Sequence, residues 1–414
     1  MCESTTDPTC INDERYLECV QDINKDLVTA TAAITAFSSM AMGIFTNLPV
    51  ALGPGMGLNV YFTYQVVGFH GTGNLSYQSA LMVVFVQGLV FFLISLLGLR
   101  QWLGRAIPAS LKMAAAAGIG LYITLIGLTY SAGIGAITGG RSDPLTLGGC
   151  TPDLIDPVSG MCKSGQLRNP TMWLGIFAGG IFTAFLMLYR VKGAIIFGIL
   201  LVSIASWPRG TPVTTFPYTP LGDSSFDFFK QVVTFHPIKH IFGVIDWDIT
   251  SGETVQFLVA LITFLYVDIL DLTGTLYSMA KFCGALNEET QDFEGSSEAY
   301  IVDAVSISLG AFVGCPPITA FIESGAGIAE GGKTGLTACV TGLCFFVSIF
   351  FAPIFASIPP WATGCTLILV GSMMARAVVD INWGYVGDAV PAFLTLAIMP
   401  FTYVSSTQIT VTIF

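Results

Sequence analysis

Charged side chains are scarce in this 414-residue chain, 10% of the total, where an average soluble domain carries roughly 25%. With 53% hydrophobic residues and a mean hydropathy of +0.74, that shortage excludes an ordinary soluble domain and places the chain in a bilayer. Histidine is scarcer still. His70, His236 and His240 all stand in loops and read as solvated, so neither a Ser-His-Asp triad nor a zinc site can form among the apolar runs. The glycine-rich stretch Gly53-Pro54-Gly55-Met56-Gly57 lacks a following Lys-Ser/Thr pair, which excludes a phosphate loop. No cysteine spacing suits a metal, because Cys283, Cys315, Cys339, Cys344 and Cys365 are scattered in or beside apolar runs as small hydrophobes. Met1 to Asp26 is polar and acidic, without the charged-then-apolar pattern of a signal peptide. The formal charge of -11 comes largely from that leader, the Asn287 to Glu298 loop and acids inside the runs. It says nothing of the substrate, and no nucleic-acid partner is expected.

What the chain does have is a series of apolar runs. Stretches of the length that crosses ~30 Å of hydrocarbon as helix fall at 28–46, 78–99, 108–130, 172–189, 193–207, 254–280, 299–314, 334–352, 362–379 and 386–404. Two broken glycine-rich segments, 48–68 and 316–332, bring the membrane elements to about twelve. Arg100, Arg105, Arg190, Lys192, Lys281, Lys333 and Arg376 fall at alternate ends of successive spans, which makes those ends cytosolic. The leader 1–26 and the loops 69–78, 131–170 and 208–252 then face the other side. Asn74-Leu75-Ser76 is a glycosylation sequon on that side. Cys150 and Cys162 lie where an oxidising compartment allows pairing, although two free thiols fit equally well. The connectivity of Cys2, Cys10 and Cys19 cannot be deduced. After Trp207, Pro208, Pro212, Pro217 and Pro220 are expected to preclude regular structure, and Phe226, Phe229 and Val233, interleaved with Asp227, Lys230 and Gln231, form an amphipathic set suited to the interface. The spacing of Gly175 and Gly179 suits close helix contact, compatible with a homodimer or with packing inside one chain.

Two segments interrupt the pattern in the same way, once in each half. In Asn47 to Asn59, two prolines and three glycines cannot continue a helix. Leu48 to Leu52 therefore reads as extended, and Met56 to Phe69 as a half-helix that starts at the membrane middle. Gly314-Cys315-Pro316-Pro317-Ile318-Thr319-Ala320-Phe321-Ile322-Glu323 repeats that order. Corresponding breaks in two halves are a pointer to an inverted-repeat transporter, with its site between the two half-helix N-termini.

Acids sit close to these breaks. Asp268 and Asp271 lie inside the 254–280 run, ~60° apart around a helix and so on one face. Ionisable groups at membrane depth cost at least ~2.5 kcal/mol each, and usually mark a ligand or ion path. A buried aspartate with no cation beside it favours its protonated form, the property a proton-driven carrier needs; the bland alternative is a carboxylate that caps a half-helix or bonds a neighbouring span. Glu323 follows the second break. A carboxylate accepts two N–H donors from the edge of a planar heterocycle and, when protonated, donates as well, which suits a nucleobase. Backbone N–H groups near Met56-Gly57 and Phe321-Ile322, with the Asn59 side chain, are placed to bond the rest of such a base. The expected substrate-binding set is Met56, Gly57, Asn59, Val267, Asp268, Phe321, Ile322 and Glu323, with Asp268, Asp271 and Glu323 as proton-coupling acids. No cofactor or metal is expected beyond the proton.

The segments Val50-Ala51-Leu52-Gly53-Pro54-Gly55-Met56-Gly57-Leu58-Asn59-Val60-Tyr61-Phe62, Asp268-Ile269-Leu270-Asp271-Leu272-Thr273-Gly274-Thr275 and Phe321-Ile322-Glu323-Ser324 closely resemble the azaguanine-type purine permeases, carriers of adenine, guanine and hypoxanthine. The match runs from about Cys2 to Tyr403. It implies an all-α polytopic membrane protein with the uracil-permease-like inverted repeat, in which two half-helices are preceded by short extended segments. By likeness, 1–26 is a non-cytosolic leader, 27–105 and 253–352 form a core domain, and 106–252 and 353–414 form a gate domain. The resemblance also implies proton symport of purines, with Asp268 and Glu323 as base-binding acids and Asp271 beside them. The polar leader is similar to plant members, which are linked to adenine-type cytokinins, and a plasma-membrane location is expected. Members have about 14 elements, so a chain with about 12 reads as truncated at both ends.

Two other readings remain open. An anion or ascorbate carrier of the same fold is opposed by the acids and by the lack of an intramembrane Lys or Arg as counter-charge. An intramembrane aspartyl protease needs aspartates on separate helices, whereas Asp268 and Asp271 share one. On either transporter reading, the chain is not an enzyme.

Overall fold

The N-terminal helix, α1 (Glu14–Thr46), is longer than its apolar run. The computed structural model describes residues 14–55, 58–59, 61–68, 73, 75–98, 109–130, 133–138, 145–151, 154–155, 161–247, 254–287, 292–293, 295–321, 323–329 and 331–400. Met56, Gly57, Ile322, His70, Asn74, Arg100 and Arg105 lie outside the described residues, as do Cys2 and Cys10. Helix α1 thus begins at Glu14, inside the polar stretch Met1 to Asp26 and ahead of the apolar run at 28–46. The run Glu14 to Asp26 holds no proline or glycine, so nothing in it stops a helix from extending outward from the apolar stretch.

Some of the other helices open on a side-chain cap. Ser76 Oγ accepts from the Ser79 N–H at the start of α3 (Tyr77–Leu96), and Asn169 Oδ1 from the Thr171 N–H at the start of α5 (Pro170–Leu188). Ahead of α3 lies α2 (Tyr61–Val66), wound as a π-helix, and between α3 and α5 lies α4 (Ala109–Leu128). Next are α6 (Ala194–Ser206) and α7 (Pro220–Lys230). Pro220 was expected to break structure, yet it opens α7 at the first turn behind the Thr219 cap, where a missing N–H costs nothing. The second half holds α8 (Thr254–Cys283), α9 (Ser296–Val313), α10 (Ser324–Ala329), α11 (Gly335–Ser348), α12 (Ala352–Ala356), α13 (Pro360–Met374) and α14 (Val386–Ile398). Among the described residues, six helical stretches are long and apolar enough to cross a membrane, and four shorter apolar helices accompany them.

Packing falls into two sets. In one, α1 lies along α11 and α9, and α3 along α9 and α8; in the other, α4 lies along α13 and α14, and α13 against α5 and α6. The closest crossings are made by glycine, which suits helices that cannot rely on a hydrophobic drive inside lipid. A Cβ at Gly335 of α11 would sit 2.0 Å from the Gly43 carbonyl oxygen of α1, and one at Gly371 of α13 would sit 2.3 Å from the Gly120 oxygen of α4.

Three short antiparallel pairs complete the described structure. β1 (Leu52–Pro54) pairs with β6 (Ile318–Ala320), β2 (Ile137–Thr138) with β3 (Thr146–Leu147), and β4 (Leu286–Asn287) with β5 (Asp292–Phe293). Beyond β3, Cys150 and Cys162 form a disulfide, with Cα atoms 6.1 Å apart. Cys19 is disulfide-bonded as well.

A strap without regular structure, residues 231–247, follows α7 and crosses α1 at Asp26 and the end of α9 at Phe312. The Asp26 carboxylate of α1, fully buried, accepts from His236 Nε2 at 2.8 Å and from the backbone N–H groups of Lys239 at 3.0 Å and His240 at 2.7 Å. Thr234 N–H donates to the Phe350 oxygen, Gly243 N–H to the Phe312 oxygen, and Ile241 is buried beneath. His236 is therefore engaged with a carboxylate and not solvated, contrary to expectation.

Candidate functional site

The two broken segments meet. Their register is Leu52 to Ala320, Gly53 to Thr319 and Pro54 to Ile318. Proline and glycine stop helix on both sides of this ladder and leave backbone groups that must bond elsewhere inside a membrane. Phe321 N–H donates to the Ala51 oxygen at 2.9 Å, Ala51 N–H to Ser324 Oγ at 3.0 Å, and Gly55 N–H to the Pro317 oxygen at 3.1 Å. On the outer edge of β1, the buried Ser39 hydroxyl of α1 accepts from Leu52 N–H at 3.1 Å and donates to the Leu52 oxygen at 3.0 Å.

Chain leaves the ladder as half-helix on both sides. After β1, Leu58 and Asn59 are helical and α2 continues as a π-helix, its Tyr61 ring edge-on to Phe264 of α8 at 4.9 Å between centroids. After β6, α10 begins at Ser324. Phe321, half-buried, lays its ring over β1: a Cβ at Gly53 would sit 2.4 Å from Phe321 Cζ. Only glycine lets the ring approach that backbone so closely.

The acids form a series of electrostatic neighbours, Asp271 standing between Asp268 and Glu323. Helix α8 packs against α3 on one flank and against β6 and α10 on another. Asp268 faces the first flank, fully buried, with its Oδ2 accepting from Gln87 Nε2 of α3 at 3.1 Å. Asp271 faces the second. It is half-buried, lies beside Thr319 of β6, and is an electrostatic neighbour of Glu323. Gly274, one turn further on, faces open space, with nothing within 4 Å of a Cβ built there. Glu323 is exposed. Asp268 and Asp271 remain electrostatic neighbours on α8, the first bonded toward α3 and the second beside β6. Val267 is buried in the main hydrophobic cluster and Asn59 is half-buried, its N–H bonded to the Gly55 oxygen.

Two polar residues escaped the sequence reading. Gln87, fully buried in the middle of α3, holds Asp268. Asp303, in the middle of α9, is fully buried with neither carboxylate oxygen partnered, and its electrostatic neighbours are Asp268 and Asp271. Each is a lone polar side chain within an apolar run, and that was the available signal. Proximity to a glycine-proline break drew attention to the other acids instead.

An inverted repeat whose broken segments cross as a two-strand ladder defines a class of membrane carrier. The xanthine/uracil permease family, described as the Permease family, matches residues 8–411, and the chain belongs to it. Efflux pump notK' of Aspergillus versicolor is 64% identical over 395 residues, covering 95% of this chain and 68% of that protein. Guanine/hypoxanthine permease PbuG of Bacillus subtilis is 35% identical over 92% of this chain and 78% of its own, and adenine permease AdeQ of Escherichia coli is 34% identical over 92% and 76%. The likeness at 64% is to a fungal protein, and the plant affinity expected from the leader gives way to it. In fold, the chain is similar to the transmembrane domain of the cyanobacterial bicarbonate transporter BicA, with a TM-score of 0.60 at 15% identity over 93% of this chain and 97% of that one.

Proposed function

We propose that this chain carries purine nucleobases across a membrane by alternating access, coupled to protons. The observation that supports the reading is the β1–β6 ladder, at whose β6 end Phe321 and Glu323 follow, with Asp271 of α8 an electrostatic neighbour of Glu323 and Gly274 one turn along with open space beside it. Carboxyl groups read the N–H edge of a flat heterocycle, and Phe321 offers a ring face beside them. Adenine and guanine/hypoxanthine permeases among the relatives support that substrate class. Asp268 backs the site from the α3 side. Asn59, Val267 and, as the sequence leads one to expect, Met56, Gly57 and Ile322 complete the proposed contact set. In the cycle, the set built on α1, α3, α8, α9 and α11 rocks against the set built on α4, α5, α6, α13 and α14, as core and gate. Cytokinin-like adenines fall within the same edge chemistry, and a homodimer in the plasma membrane is compatible with the apolar outer faces of α5 and α6.

Radiolabelled adenine uptake, normalised to surface expression, tests the site. Glu323→Ala removes a charge-assisted hydrogen bond worth ~1.5–3 kcal/mol, so uptake should fall about 10- to 100-fold with expression unchanged. Parallel loss of uptake and expression would assign Glu323 to folding. The name of the Aspergillus relative favours a second reading, in which the same site serves export of a heterocycle. Preloaded cells that lose label faster with the protein than without it, and show no uphill uptake, would decide for export.

A further inference from the structure

Behind the candidate site lies a group of polar side chains in which Gln87 and Asp303, outside the proposed contact set, join Asp268. On α3, Gln87 gives its N–H to Asp268 and leaves its own Oε1 unpartnered and buried. On α8, Asp268 Oδ1 is likewise buried and unpartnered. On α9, both oxygens of Asp303 are. Helices α3 and α9 touch at this level: a Cβ at Gly88, next to Gln87, would sit 2.2 Å from Ser308 Oγ and 2.9 Å from the oxygen of Ala304, next to Asp303. The groups facing the cluster are Asp268 and Asp271 of α8 and Gln87 of α3, with Glu323 beyond Asp271. The spans Tyr77–Leu96, Thr254–Tyr277 and Ser296–Val313 contain no lysine, arginine or histidine. The orphaned atoms of Gln87, Asp268 and Asp303 are all acceptors, and the species missing beside them is a donor.

Two uncompensated carboxylates cannot both stay ionised so close together with no cation and no water-like dielectric. One proton shared among Asp268 and Asp303 supplies the donor: a carboxyl O–H that an acceptor of the cluster receives. We propose that Asp303 is the resident proton-holding group of the core, exchanging one proton with Asp268 as the carrier turns over, with Gln87 fixing the Asp268 carboxyl for that exchange. In the loaded state Asp303 is the acid and Asp268 the carboxylate that backs the site. Transfer breaks the O–H bond at Asp303 and forms one at Asp268, and the proton leaves when the site opens to the other side. This deepens the proton coupling proposed above and rests on it.

Infrared spectroscopy of the purified protein reads the proton without any substrate. The wild type should show a buried carboxylic-acid C=O band that shifts in heavy water. Asp303→Asn should remove it and Gln87→Leu, which leaves both acids in place, should shift it. In proteoliposomes, Asp303→Asn should keep purine counterflow while losing the about tenfold accumulation that ~1 unit of pH gradient supports for one coupled proton, 1.4 kcal/mol per decade. An unchanged band in Asp303→Asn would sink the proposal, and so would a band abolished by sodium, which would make the cluster a metal-cation site. Retained proton-driven accumulation in that variant overturns it too. Failure of the purine reading looks different: the wild type then moves no nucleobase while its band persists.

Discussion

Replacing Asp26 by alanine tests how the strap is held. Three donors converge on that carboxylate: His236 Nε2 at 2.8 Å and the N–H groups of Lys239 at 3.0 Å and His240 at 2.7 Å. A hydrogen bond to a charged group contributes ~1.5–3 kcal/mol when its loss leaves a partner unsatisfied. Lys239 and His240 are exposed residues, so their freed N–H groups recover water and the full sum is not lost. The net cost should therefore be that of one to two such bonds, about 2–5 kcal/mol. The loss is local. The strap keeps its bonds to Phe350 and Phe312, and helices α1 and α9 hardly depend on it. Opening of residues 231–247 should become easier while the core stays shut, as expected for a sub-global unit. Hydrogen exchange followed by mass spectrometry resolves this: strap peptides should exchange about 30- to 5,000-fold faster in Asp26→Ala, with α9 peptides unchanged. Asp26→Asn should behave nearly as badly, since an amide offers one acceptor oxygen and turns an N–H2 toward donors. His236→Ala should give a smaller effect, because two of the three bonds survive. If strap exchange is the same in Asp26→Ala as in the wild type, the carboxylate is not what holds the segment, and the reasoning fails.

Further expectations concern the scaffold. Gly335→Val places a branched side chain where 2.0 Å separates a Cβ from the Gly43 oxygen. Helices α1 and α11 must part, at a cost of ~1–3 kcal/mol or more, and the melting temperature in detergent should fall accordingly; an unchanged value would mean the crossing is not tight. Cys162→Ser opens a bridge whose cysteines are 12 residues apart, worth ~3 kcal/mol for a loop near that size. Cys150 should then react with a maleimide reagent, and the 145–169 loop should become protease-sensitive. Protection retained on both counts would count against the bridge as the stabilising element.

Most of the membrane architecture was legible because hydropathy and helix length are coupled: ten apolar runs coincide with described helices. Both breaks were legible for a different reason. Proline and glycine state where helix is impossible, whatever surrounds them. The direction of Asp268 was not, since sequence spacing gives the angle between Asp268 and Asp271 but not the phase of α8 against α3. Asp303 and Gln87 carry no periodic signal; only the packing of α3 on α9 beside α8 makes them neighbours. His236 read as solvated because a loop histidine has no pattern, and its partner stands 210 positions away in what looked like a leader. The Cys150–Cys162 bridge depended on a loop path that spacing leaves undetermined.

The ladder joins residues synthesised far apart, with Ala51 and Ser324 separated by 273 positions. A nascent chain therefore inserts its first break with strand donors and acceptors unanswered, in a medium where each unanswered backbone group is costly. Ser39 answers one residue of it from within the same half, and the remainder must wait for the ribosome to deliver the second. Until then α1 alone, through Ser39, answers the unfinished edge, and whatever shortens the interval between the two halves should raise the yield of folded protein.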